Sequence, residues 1–500
     1  MRAVLALDQG SHASRACVFD QHGHLLAQRH LPVATQQFVD GRVEQDPLAL
    51  VASLQEAAQR ALAEARAQHT GLAVLAAGLA VQRSTIVCCQ RSDCAPLTSA
   101  LSWQDTRHAA WLAGLAAAEP RVRALTGLPL SPHYGASKLH WCLDHVPAVQ
   151  AAAEAGDLLA LPLAAYLAAQ LTSSEPLVDA ANASRTLLFD TAQLAWSGEL
   201  LALFGIPAAC LPRCVPTGSH FGDLAIDGVA VPLTALTGDQ SAVPFAAGTL
   251  DLDSVSVNLG TGAFVQQPLA ARPGSPAPLL GSVLGQFAGG ARYTLEGTVN
   301  GGGSAVAAFL AADGSEEAQL WSALDALDVL ELAKCPLYLN GHGGLGSPWW
   351  QPQFESRWIH EGAGANDRLA RFAALVESIA FMVAVNVAEL TRHGAAPGAL
   401  RLTGGMSRSL FLRERLAAFC ELPVWSGEPE ASARGVAVLA RPDWGQAWRA
   451  AQQSGSTHAG AQLDCTEPPE GALRLQAESR RSQLTEAYAA ALSAASQRAN

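Results

Sequence analysis

The pattern of apolar and polar positions predicts that the chain begins with a meander of three strands. Val4 to Leu7 and Ala16 to Phe19 are apolar runs, and Leu25 to His30 keeps an extended pattern. The loop Asp8 to Arg15 separates the first two runs, and a turn at Gln21 to His24 separates the last two. Short apolar runs bounded by turn-forming residues are typical of β-strands.

A helix is predicted next, starting at Pro47. Asp46 can cap its N-terminus, and proline is favoured at the first helical position. Apolar residues then recur on one face at helical spacing: Leu50, Val51, Leu54, Ala58, Ala61, Leu62 and Ala65. Beyond this helix, Leu72 to Val81 and Thr85 to Cys89 are predicted strands on either side of a turn at Gln82 to Ser84. Strands that alternate with helices favour an α/β fold.

A second meander begins near Asp253 and repeats the arrangement of the first. Ser254 to Asn258 and Ala263 to Gln266 are predicted strands, joined by the turn Gly260 to Gly262. The similarity is one of structural type, and it indicates two halves of like fold facing each other. Further helices are predicted at Asp105 to Ala118, Gly303 to Ala311, Asp367 to Arg392, Arg408 to Phe419 and Ser432 to Leu439.

The C-terminal part is predicted to be a linker followed by a helix. Gln452 to Gly471 is rich in Ser, Gly, Gln and Pro, which favours a linker. Glu478 to Ser496 follows as a helix that packs back on the body through one face: Leu484, Tyr488, Ala491 and Leu492.

Composition narrows the class of protein. The 500 residues are 49% hydrophobic and 15% charged, enough to bury large cores in at least two domains. A net charge of -12 gives no general attraction to nucleic acid or to an anionic membrane, so a small molecule is the expected partner. Asp8 interrupts the N-terminal apolar run too early for a secretory segment. The longest apolar run, Leu158 to Ala169, is shorter than the roughly 20 residues that span a bilayer, which favours a cytoplasmic protein.

The 10 cysteines show no paired CxxC spacing. Five of them could only loosely form a zinc cluster: Cys88, Cys89, Cys94, Cys210 and Cys214. Zinc sites normally use tighter, paired spacings, so small buried thiols in a reducing compartment are the favoured interpretation.

Candidate chemistry centres on Asp239, which follows Gly238 in a turn after an apolar stretch. A carboxylate held in this way can act as a general base toward a substrate hydroxyl, or it can simply cap a helix. Two small-residue loops, at Gly10 and Ser11 and at Gly260 to Gly262, can point backbone N–H groups at phosphate oxygens. Asp8 is placed to hold Mg²⁺ through water. Together these residues suggest phosphoryl transfer to an alcohol.

A diglycine at Gly404 and Gly405 follows the predicted strand Ala399 to Thr403. Glycine here allows a flat ring to lie against the backbone, which suggests an adenine or ribose site. A close strand-to-helix turn explains the diglycine equally well.

In their order, the motifs resemble the FGGY carbohydrate kinases, and within that family the glycerol kinase branch most. The segments that carry the resemblance are LALDQGSHASRACVFD at Leu5 to Asp20, GRVEQDP at Gly41 to Pro47, GLAVQRSTIV at Gly78 to Val87, LSWQDTRH at Leu101 to His108, ASKLHWCLDH at Ala136 to His145, DAANASRTLLFD at Asp179 to Asp190, TGDQSAV at Thr237 to Val243, NLGTGAF at Asn258 to Phe264, LEGTVNGGG at Leu295 to Gly303, GLGSPWW at Gly344 to Trp350, VESIAF at Val376 to Phe381 and LTGGMSRS at Leu402 to Ser409. Each segment is weak alone, and their shared order is specific.

The resemblance implies two ribonuclease H-like domains of the actin and sugar-kinase superfamily, with the active site in the cleft between them. Residues 1–247 would bind the acceptor and supply the base, residues 248–445 would bind ATP, and residues 446–500 would be linker and terminal helix. It implies Asp239 as general base, with Asp8 and Asp239 near Mg²⁺. It places ATP on Gly10, Ser11, His12, Arg15, Gly260, Thr261, Gly303, Gly404 and Gly405. It places a small polyol or sugar on Gln82, Arg83, Ser84, Trp103, His133, Tyr134, Gln240 and Phe264. A homodimer or homotetramer is the expected assembly.

Departures from the family pattern fall in both sites. Glycerol kinases follow the arginine of the Arg83 position with a glutamate, which here is Ser84, and His133 stands at the place of a pocket tyrosine. Losing a charged partner to a hydroxyl typically costs about 1.5–3 kcal/mol, so glycerol itself becomes doubtful. In the phosphate loop His12 is a bulkier neighbour for ATP than the family's threonine. Two further positions, Ala307 and Ser409, replace a glutamine and an asparagine.

Several alternatives stay open. Trp103 and Phe264 can be core aromatics, His133 a loop residue, and Arg83 the partner of a structural carboxylate. The whole chain can be glycerol kinase proper, a non-catalytic sensor that binds sugar or nucleotide, or an actin-like ATPase. Arg83, Gln82 and Trp103 argue against the last, because they suit a small hydroxylated ligand.

Overall fold

A computed structural model describes residues 1–274, 278–314, 316–359, 367–427, 430–453 and 463–499. Strands and helices alternate along most of these residues, which confirms the predicted α/β class. Two large sheets form, one from residues before Asp239 and one from residues after Asp253. Each sheet has its own buried core.

The first large sheet has six described strands. In spatial order they are Asp223–Ile226, Val229–Gly238, Ala73–Val81, Arg2–Gln9, Ala13–Asp20 and Leu25–Pro32. The last three run antiparallel, so the predicted N-terminal meander is confirmed. Ala73–Val81 is parallel both to Arg2–Gln9 and to Val229–Gly238, so the carboxyl ends of these three strands meet at one edge.

The second large sheet has seven described strands and repeats this plan. In spatial order they are Leu280–Phe287, Gly290–Val299, Ala263–Leu269, Ser254–Leu259, Ala399–Thr403, Val424–Ser426 and Asp464–Thr466. Ser254–Leu259 pairs antiparallel with Ala263–Leu269 and parallel with Ala399–Thr403. The predicted second meander and its likeness to the first are therefore confirmed.

Smaller sheets and helices cover these layers. A five-stranded sheet orders Gln36–Gln37, Val43–Gln45, Ala100–Leu101, Ile86–Gln90 and Leu158–Pro162, and three strand pairs join Leu177–Asp179 to Arg213–Val215, Phe189–Asp190 to Ala195–Trp196, and Leu337–Leu339 to Arg357–Ile359. The described α-helices are Pro47–Gln68, Ala109–Ala113, Glu119–Thr126, Gly135–His145, Pro147–Glu154, Leu163–Thr172, Ala180–Ala183, Gly198–Phe204, Asp239–Ala242, Gly303–Asp313, Glu317–Asp325, Arg368–His393, Leu410–Cys420, Ala431–Ala440, Gly445–Gln453 and Gly471–Ala499.

Most predicted helices are confirmed. The first begins at Pro47, and the Asp46 carboxylate accepts hydrogen bonds from the Leu48 and Ala49 amides at its N-terminus. The long helix Arg368–His393 satisfies the length and composition of a membrane span, but 89% of its most apolar window is buried inside the protein. It is the central helix of the second core.

The predicted helix over Asp105 to Ala118 is wrong. Only Ala109–Ala113 is α-helical, and it ends at Gly114. Asp105 does not begin a helix, because its buried carboxylate instead accepts hydrogen bonds from the Val43 amide, at 2.7 Å, and from Arg107. Long-range polar contacts of this kind cannot be read from helical periodicity.

The predicted linker differs from the structure where it is described. Residues 454–462 lie outside the described residues, but Asp464–Thr466 pairs as an edge strand with Val424–Ser426. The terminal helix is longer than predicted, and its apolar face packs on the second core as expected, with Tyr488 fully buried.

The two halves are tied together by the helix Ala431–Ala440. Although it follows six of the seven described strands of the second sheet in the chain, it packs on the strands of the first sheet in a shared apolar cluster. The same cluster contains Trp448, which lies fully buried with its ring 5.4 Å from that of Phe19. The division of the chain into domains at residue 248 stays a prediction.

Candidate active site

The three carboxyl ends that meet at the edge of the first sheet bring the predicted residues together. Asp8 lies near the end of Arg2–Gln9, Gln82 to Ser84 follow Ala73–Val81, and Asp239 follows Val229–Gly238. In open α/β sheets, ligands bind outside the carboxyl ends of the strands. The topology therefore makes this edge the candidate site.

Asp8 and Asp239 form a pair of neighbouring carboxylates. Arg15 donates to one oxygen of Asp8 at 3.0 Å, while the other oxygen is buried without a partner in the described part of the chain. Burial raises the pKa of Asp8 to about 6, Arg15 opposes this, and the negative charge of Asp239 adds to it. Burial also raises the pKa of Asp239, against the effect of Arg83. The charge of Asp239 thus disfavours ionisation of Asp8.

A chain of side-chain hydrogen bonds leads from the strand Val43–Gln45 to Trp103. Gln45 accepts from Gln82 at 2.7 Å, Gln82 accepts from the Ser11 hydroxyl at 2.9 Å, and Ser11 accepts from the Trp103 indole at 2.8 Å. Ser11 was assigned to ATP, but its hydroxyl is joined to two residues of the acceptor group. The buried Gln82 amide is likewise engaged by protein groups, so it orients Ser11 rather than facing open space.

His133 lies between two aromatic rings. Its ring centroid is 5.0 Å from that of Trp103 and 5.2 Å from that of Tyr134, both edge-to-face. Burial lowers the pKa of His133 well below its usual value, and the positive charges of Lys138, Arg185 and Arg83 lower it further. His133 is therefore neutral at physiological pH, while Tyr134 is a buried core residue.

Lys138 is fully buried behind this pocket. Its ammonium donates to the backbone carbonyls of Ser84, at 3.2 Å, and His133, at 2.7 Å. Burial lowers the pKa of Lys138 to about 7. It fixes the backbone of the two positions that depart from the family pattern.

Arg83 is paired with a carboxylate from the other half of the chain. Its two terminal nitrogens donate to Glu296 at 2.6 and 3.2 Å, and Arg185 donates to the same carboxylate at 3.1 Å. All three side chains are buried. The stem of Arg83 crosses the backbone of Gly238 so closely that a Cβ there would lie 2.6 Å from it. The structural-carboxylate alternative for Arg83 therefore holds, and an acceptor contact stays a prediction.

Glu296 and Arg185 were missed as site residues. Both lie within segments that carry the family resemblance, and Glu296 is a charged residue in the otherwise uncharged end of a buried strand. That signal could have identified Glu296, because a buried carboxylate requires a cationic partner. Which cation it pairs with depends on the approach of the two sheets and is not visible in the sequence.

Glu296 also marks the face of the second sheet that borders the site. It lies opposite Gln266 on the neighbouring strand, and Gln266 donates to the backbone carbonyl of Gln240 at 2.8 Å. Phe264 lies two residues before Gln266 and so on the same face of the sheet. Ala263 and Val265 face the core instead. Phe264 and Gln240, both predicted to bind the acceptor, therefore border the candidate site.

Ser84 Oγ and Gln240 Oε1 are among the polar atoms of this region that are buried without a partner in the described residues. Buried polar groups are nearly always satisfied in native proteins. Ser84 also has a φ of 65°, an uncommon conformation for a residue other than glycine. Unpaired groups and strained backbone cluster at ligand sites, so these two atoms are candidates for contact with a ligand.

The predicted glycine turns of the second half pack directly on one another. The Gly303 amide donates to the Gly260 carbonyl at 2.8 Å, and the amides of Gly302 and Ser304 both donate to the Thr261 carbonyl. Gly404 has a φ of 89° and a ψ of 169°, and a Cβ on it would collide with the Leu259 carbonyl. Only glycine therefore fits at position 404. Gly260 and Thr261 lie exposed at the sheet edge.

Replacing Gly404 with alanine is expected to destabilise the fold by about 1–3 kcal/mol, because its backbone conformation is essentially restricted to glycine. Gly405→Ala is the matched control, since a Cβ there meets nothing within 4 Å. We expect that control to change stability by no more than about 0.5 kcal/mol. Urea unfolding measures both, and equal losses would contradict the packing argument.

The N-terminal loop is a tight hairpin. The Gly10 amide donates to the Ala13 carbonyl at 3.0 Å, and the His12 carbonyl accepts from Val33 at 3.0 Å. The His12 side chain is exposed, and His12 lies between Asp8 and Arg15 in the chain. Arg15 also approaches Glu430, at 3.8 Å, so this loop too contacts the second half of the chain.

Comparisons with known proteins agree with this geometry. The sequence pattern of the FGGY family of carbohydrate kinases matches residues 3–260 with its N-terminal domain and residues 255–441 with its C-terminal domain. A glycerol kinase of Allorhizobium ampelinum is 35% identical over 456 residues, covering 87% of this chain and 89% of that protein.

Solved structures show the same architecture. A Plasmodium falciparum glycerol kinase with ADP superposes with a TM-score of 0.87 at 21% identity, covering 97% of this chain and 98% of that one. A xylulose kinase from Rhodospirillum rubrum gives 0.81 at 22% identity, covering 98% and 99%. These similarities confirm the fold of two facing domains.

Proposed function

Because this chain belongs to the FGGY family of carbohydrate kinases, it transfers phosphate from ATP to a hydroxyl of a small sugar or polyol, and we propose that Asp239 is the base in that transfer. The observation that carries the proposal is the position of Asp239. It stands at the carboxyl end of Val229–Gly238, a strand parallel to Ala73–Val81, beside Asp8 and across from the face that bears Gln266 and Glu296. Its raised pKa makes it a better proton acceptor than an ordinary aspartate.

The proposed step is an in-line phosphoryl transfer. The acceptor hydroxyl gives its proton to Asp239 while its oxygen forms a bond to the γ-phosphorus. The bond between that phosphorus and the β-phosphate oxygen breaks, and ADP leaves. The protein contributes mainly by positioning the reactants and by stabilising the transferring charge.

We assign the nucleotide to the packed glycine turns of the second half. The turn of Gly260 and Thr261 is exposed at the sheet edge, where a phosphate chain can approach without steric cost. Gly303 supports this turn, because its amide donates to the Gly260 carbonyl. Gly404 and Gly405 would border the nucleoside. Gly10, His12 and Arg15 would meet the phosphates from the first half, and Ser11 instead supports the acceptor side through Trp103.

The residues present fit a magnesium ion. Asp8 has a buried oxygen without a partner in the described residues, and Asp239 lies close enough to raise its pKa. Mg²⁺ is typically held by one or two carboxylates together with water and substrate phosphates. When bound, the ion neutralises charge on the phosphates. Asp8 and Asp239 would hold it.

Divalent-ion binding is expected to weaken as the pH falls through about 6. Because the pKa of Asp8 is raised to about 6, protonation removes the ligand well above the pH at which an ordinary aspartate would protonate. Electron paramagnetic resonance of Mn²⁺ added to the nucleotide-free protein measures this. Asp8→Asn should lose that pH dependence, and a binding midpoint near pH 4 would contradict the assignment.

A coupled ADP-release assay over polyols, ketoses and deoxysugars tests the proposed function. We expect at least one acceptor to raise ATP turnover above the rate of background hydrolysis. If none does, the kinase proposal fails, and the sensor alternative gains. A homodimer or homotetramer, a cytoplasmic location and the domain boundaries at residues 248 and 446 remain part of the proposal.

A further inference from the structure

Two cysteine side chains lie in contact outside the candidate active site. Cys89 is near the end of the strand Ile86–Gln90, and Cys94 lies in the turn that follows. Both are free thiols, and their Sγ atoms are 3.6 Å apart. The turn is closed by two backbone hydrogen bonds, from the Gln90 amide to the Ala95 carbonyl and from the Cys94 amide to the Gln90 carbonyl. Only a short approach of the two sulfurs therefore separates this contact from a disulfide bond, which is about 2 Å long.

The two thiols differ in accessibility. Cys89 is fully buried in the first core, whereas Cys94 is only partly buried. Cys94 lines a surface cavity of about 650 Å³, together with Arg91 and Gln170. The Gln170 side-chain amide donates to the Cys94 carbonyl at 2.8 Å, and Cys94 has a φ of 58°, which is uncommon for a residue other than glycine. A small molecule dissolved in water can therefore reach Cys94 directly, and Cys89 only through Cys94.

The contact also makes the two thiols chemically unequal. The hydrogen bond with Cys89 lowers the pKa of Cys94, although burial opposes this effect. The same hydrogen bond, together with burial, raises the pKa of Cys89. The thiolate is the reactive form of cysteine, so Cys94 is the nucleophile of the pair. An accessible cysteine of lowered pKa beside a second cysteine is the arrangement typical of redox-sensing thiols.

A metal ion does not explain this contact. The part of the chain that the structure describes contains no group of three or more His, Cys, Asp or Glu side chains placed to hold one. Cys88, the neighbour of Cys89 in the strand, lies in a different apolar cluster, because successive side chains of a strand point to opposite faces. The pair is therefore a dithiol.

We propose that Cys89 and Cys94 form a modification site, at which hydrogen peroxide joins the two thiols in a disulfide. The Cys94 sulfur forms a bond to one peroxide oxygen, the O–O bond breaks, and the released hydroxide takes up a proton to become water. Cys89 then attacks the sulfenic acid on Cys94. The S–S bond forms, the S–O bond breaks, and the hydroxyl leaves as water with the proton of Cys89.

The electrons and atoms of this reaction balance. The two thiols lose two electrons and two protons, and one molecule of peroxide is reduced to two of water. Disulfides in a reducing compartment are usually transient, so a thiol reductant should restore both thiols.

Peptide mapping of the folded protein tests the proposal. Trypsin cleaves after Arg91 and so separates the two cysteines into the peptides Ser84–Arg91 and Ser92–Arg107. After treatment with hydrogen peroxide and alkylation of the remaining thiols, we expect these peptides to be joined, with a loss of mass of two hydrogen atoms. Dithiothreitol should separate them. Unjoined, fully alkylated peptides at a peroxide dose that oxidises free glutathione in the same buffer would overturn the proposal.

Two alanine variants identify the cysteine that pairs with Cys94. Cys88→Ala is the matched control, because Cys88 lies in the same peptide but on the opposite face of the strand, and it should keep the bond. Cys89→Ala should abolish the bond and leave Cys94 as a sulfenic acid, which dimedone labels. A bond that persists in Cys89→Ala would refute the pair. If either variant does not fold, fragmentation of the joined wild-type peptides locates the bond, and a bond at Cys88 would refute the proposal.

Discussion

Replacing Asp239 with asparagine is expected to lower kcat by roughly a hundredfold to ten-thousandfold, because the amide cannot accept the proton of the acceptor hydroxyl. The change is nearly isosteric and keeps the oxygen that accepts the Gln240 amide hydrogen bond at 2.7 Å. Acceptor binding should therefore change much less than the rate. Steady-state kinetics with the preferred acceptor, together with calorimetric binding of that acceptor, separate the two effects.

Asp227→Asn is the matched control for Asp239. Asp227 lies in the turn just before the same strand and is half exposed, and within the described part of the chain Arg66 is its only ion-pair partner. Asparagine also tolerates its φ of 50°. We expect wild-type kinetics from this variant. A kcat for Asp239→Asn within a few-fold of wild type would remove Asp239 from the chemical step.

The sequence was sufficient for the elements that rest on local pattern. Both meanders, the Asp46-capped helix and the helix Arg368–His393 follow from apolar periodicity and turn residues, which are local signals. The predicted helix from Asp105 failed because a long-range hydrogen bond to Val43 outweighs the local preference. The acids and turn glycines proposed as site residues were chosen from local signals of the same kind, and the structure places Asp8 and Asp239 at strand ends, while their roles stay predictions.

The pairing between the two halves could not be predicted in this way. Arg83 was expected at the acceptor, yet its guanidinium lies on Glu296, which is 213 positions away in the chain. Ser11 was expected at ATP, yet its hydroxyl joins Gln82 and Trp103. Both residues do lie at the carboxyl-end edge of the first sheet, as expected. Their hydrogen-bond partners depend on how the sheets and loops approach one another.

The ion pairs of Glu296 are expected to make a large contribution to stability. Glu296→Gln leaves Arg83 and Arg185 buried without the carboxylate that accepts hydrogen bonds from both, and breaking a buried pair in this way typically costs about 3–5 kcal/mol. The three side chains join the first half of the chain to the second, so the loss should also disturb the cleft. We expect a lower free energy of unfolding in urea and a lower kcat/KM, through misplacement of Arg83 beside Asp239.

Glu199→Gln provides the control for that loss. Glu199 also accepts two hydrogen bonds from one arginine, Arg121, but its side chain is 52% exposed where that of Glu296 is 2% exposed. Exposed pairs contribute about 1 kcal/mol or less, so this variant should unfold nearly as wild type does.

The contribution of Glu296 to stability should also depend on pH. Arg185 and Arg83 lower the pKa of Glu296 although burial opposes them, so its contribution is present at neutral pH and disappears as acid protonates it. The difference in stability between wild type and Glu296→Gln should therefore narrow as the pH falls below the ordinary range of a glutamate pKa. Equal losses of stability in Glu296→Gln and Glu199→Gln at pH 7 would show that burial does not determine how much the ion pairs of Glu296 stabilise the protein.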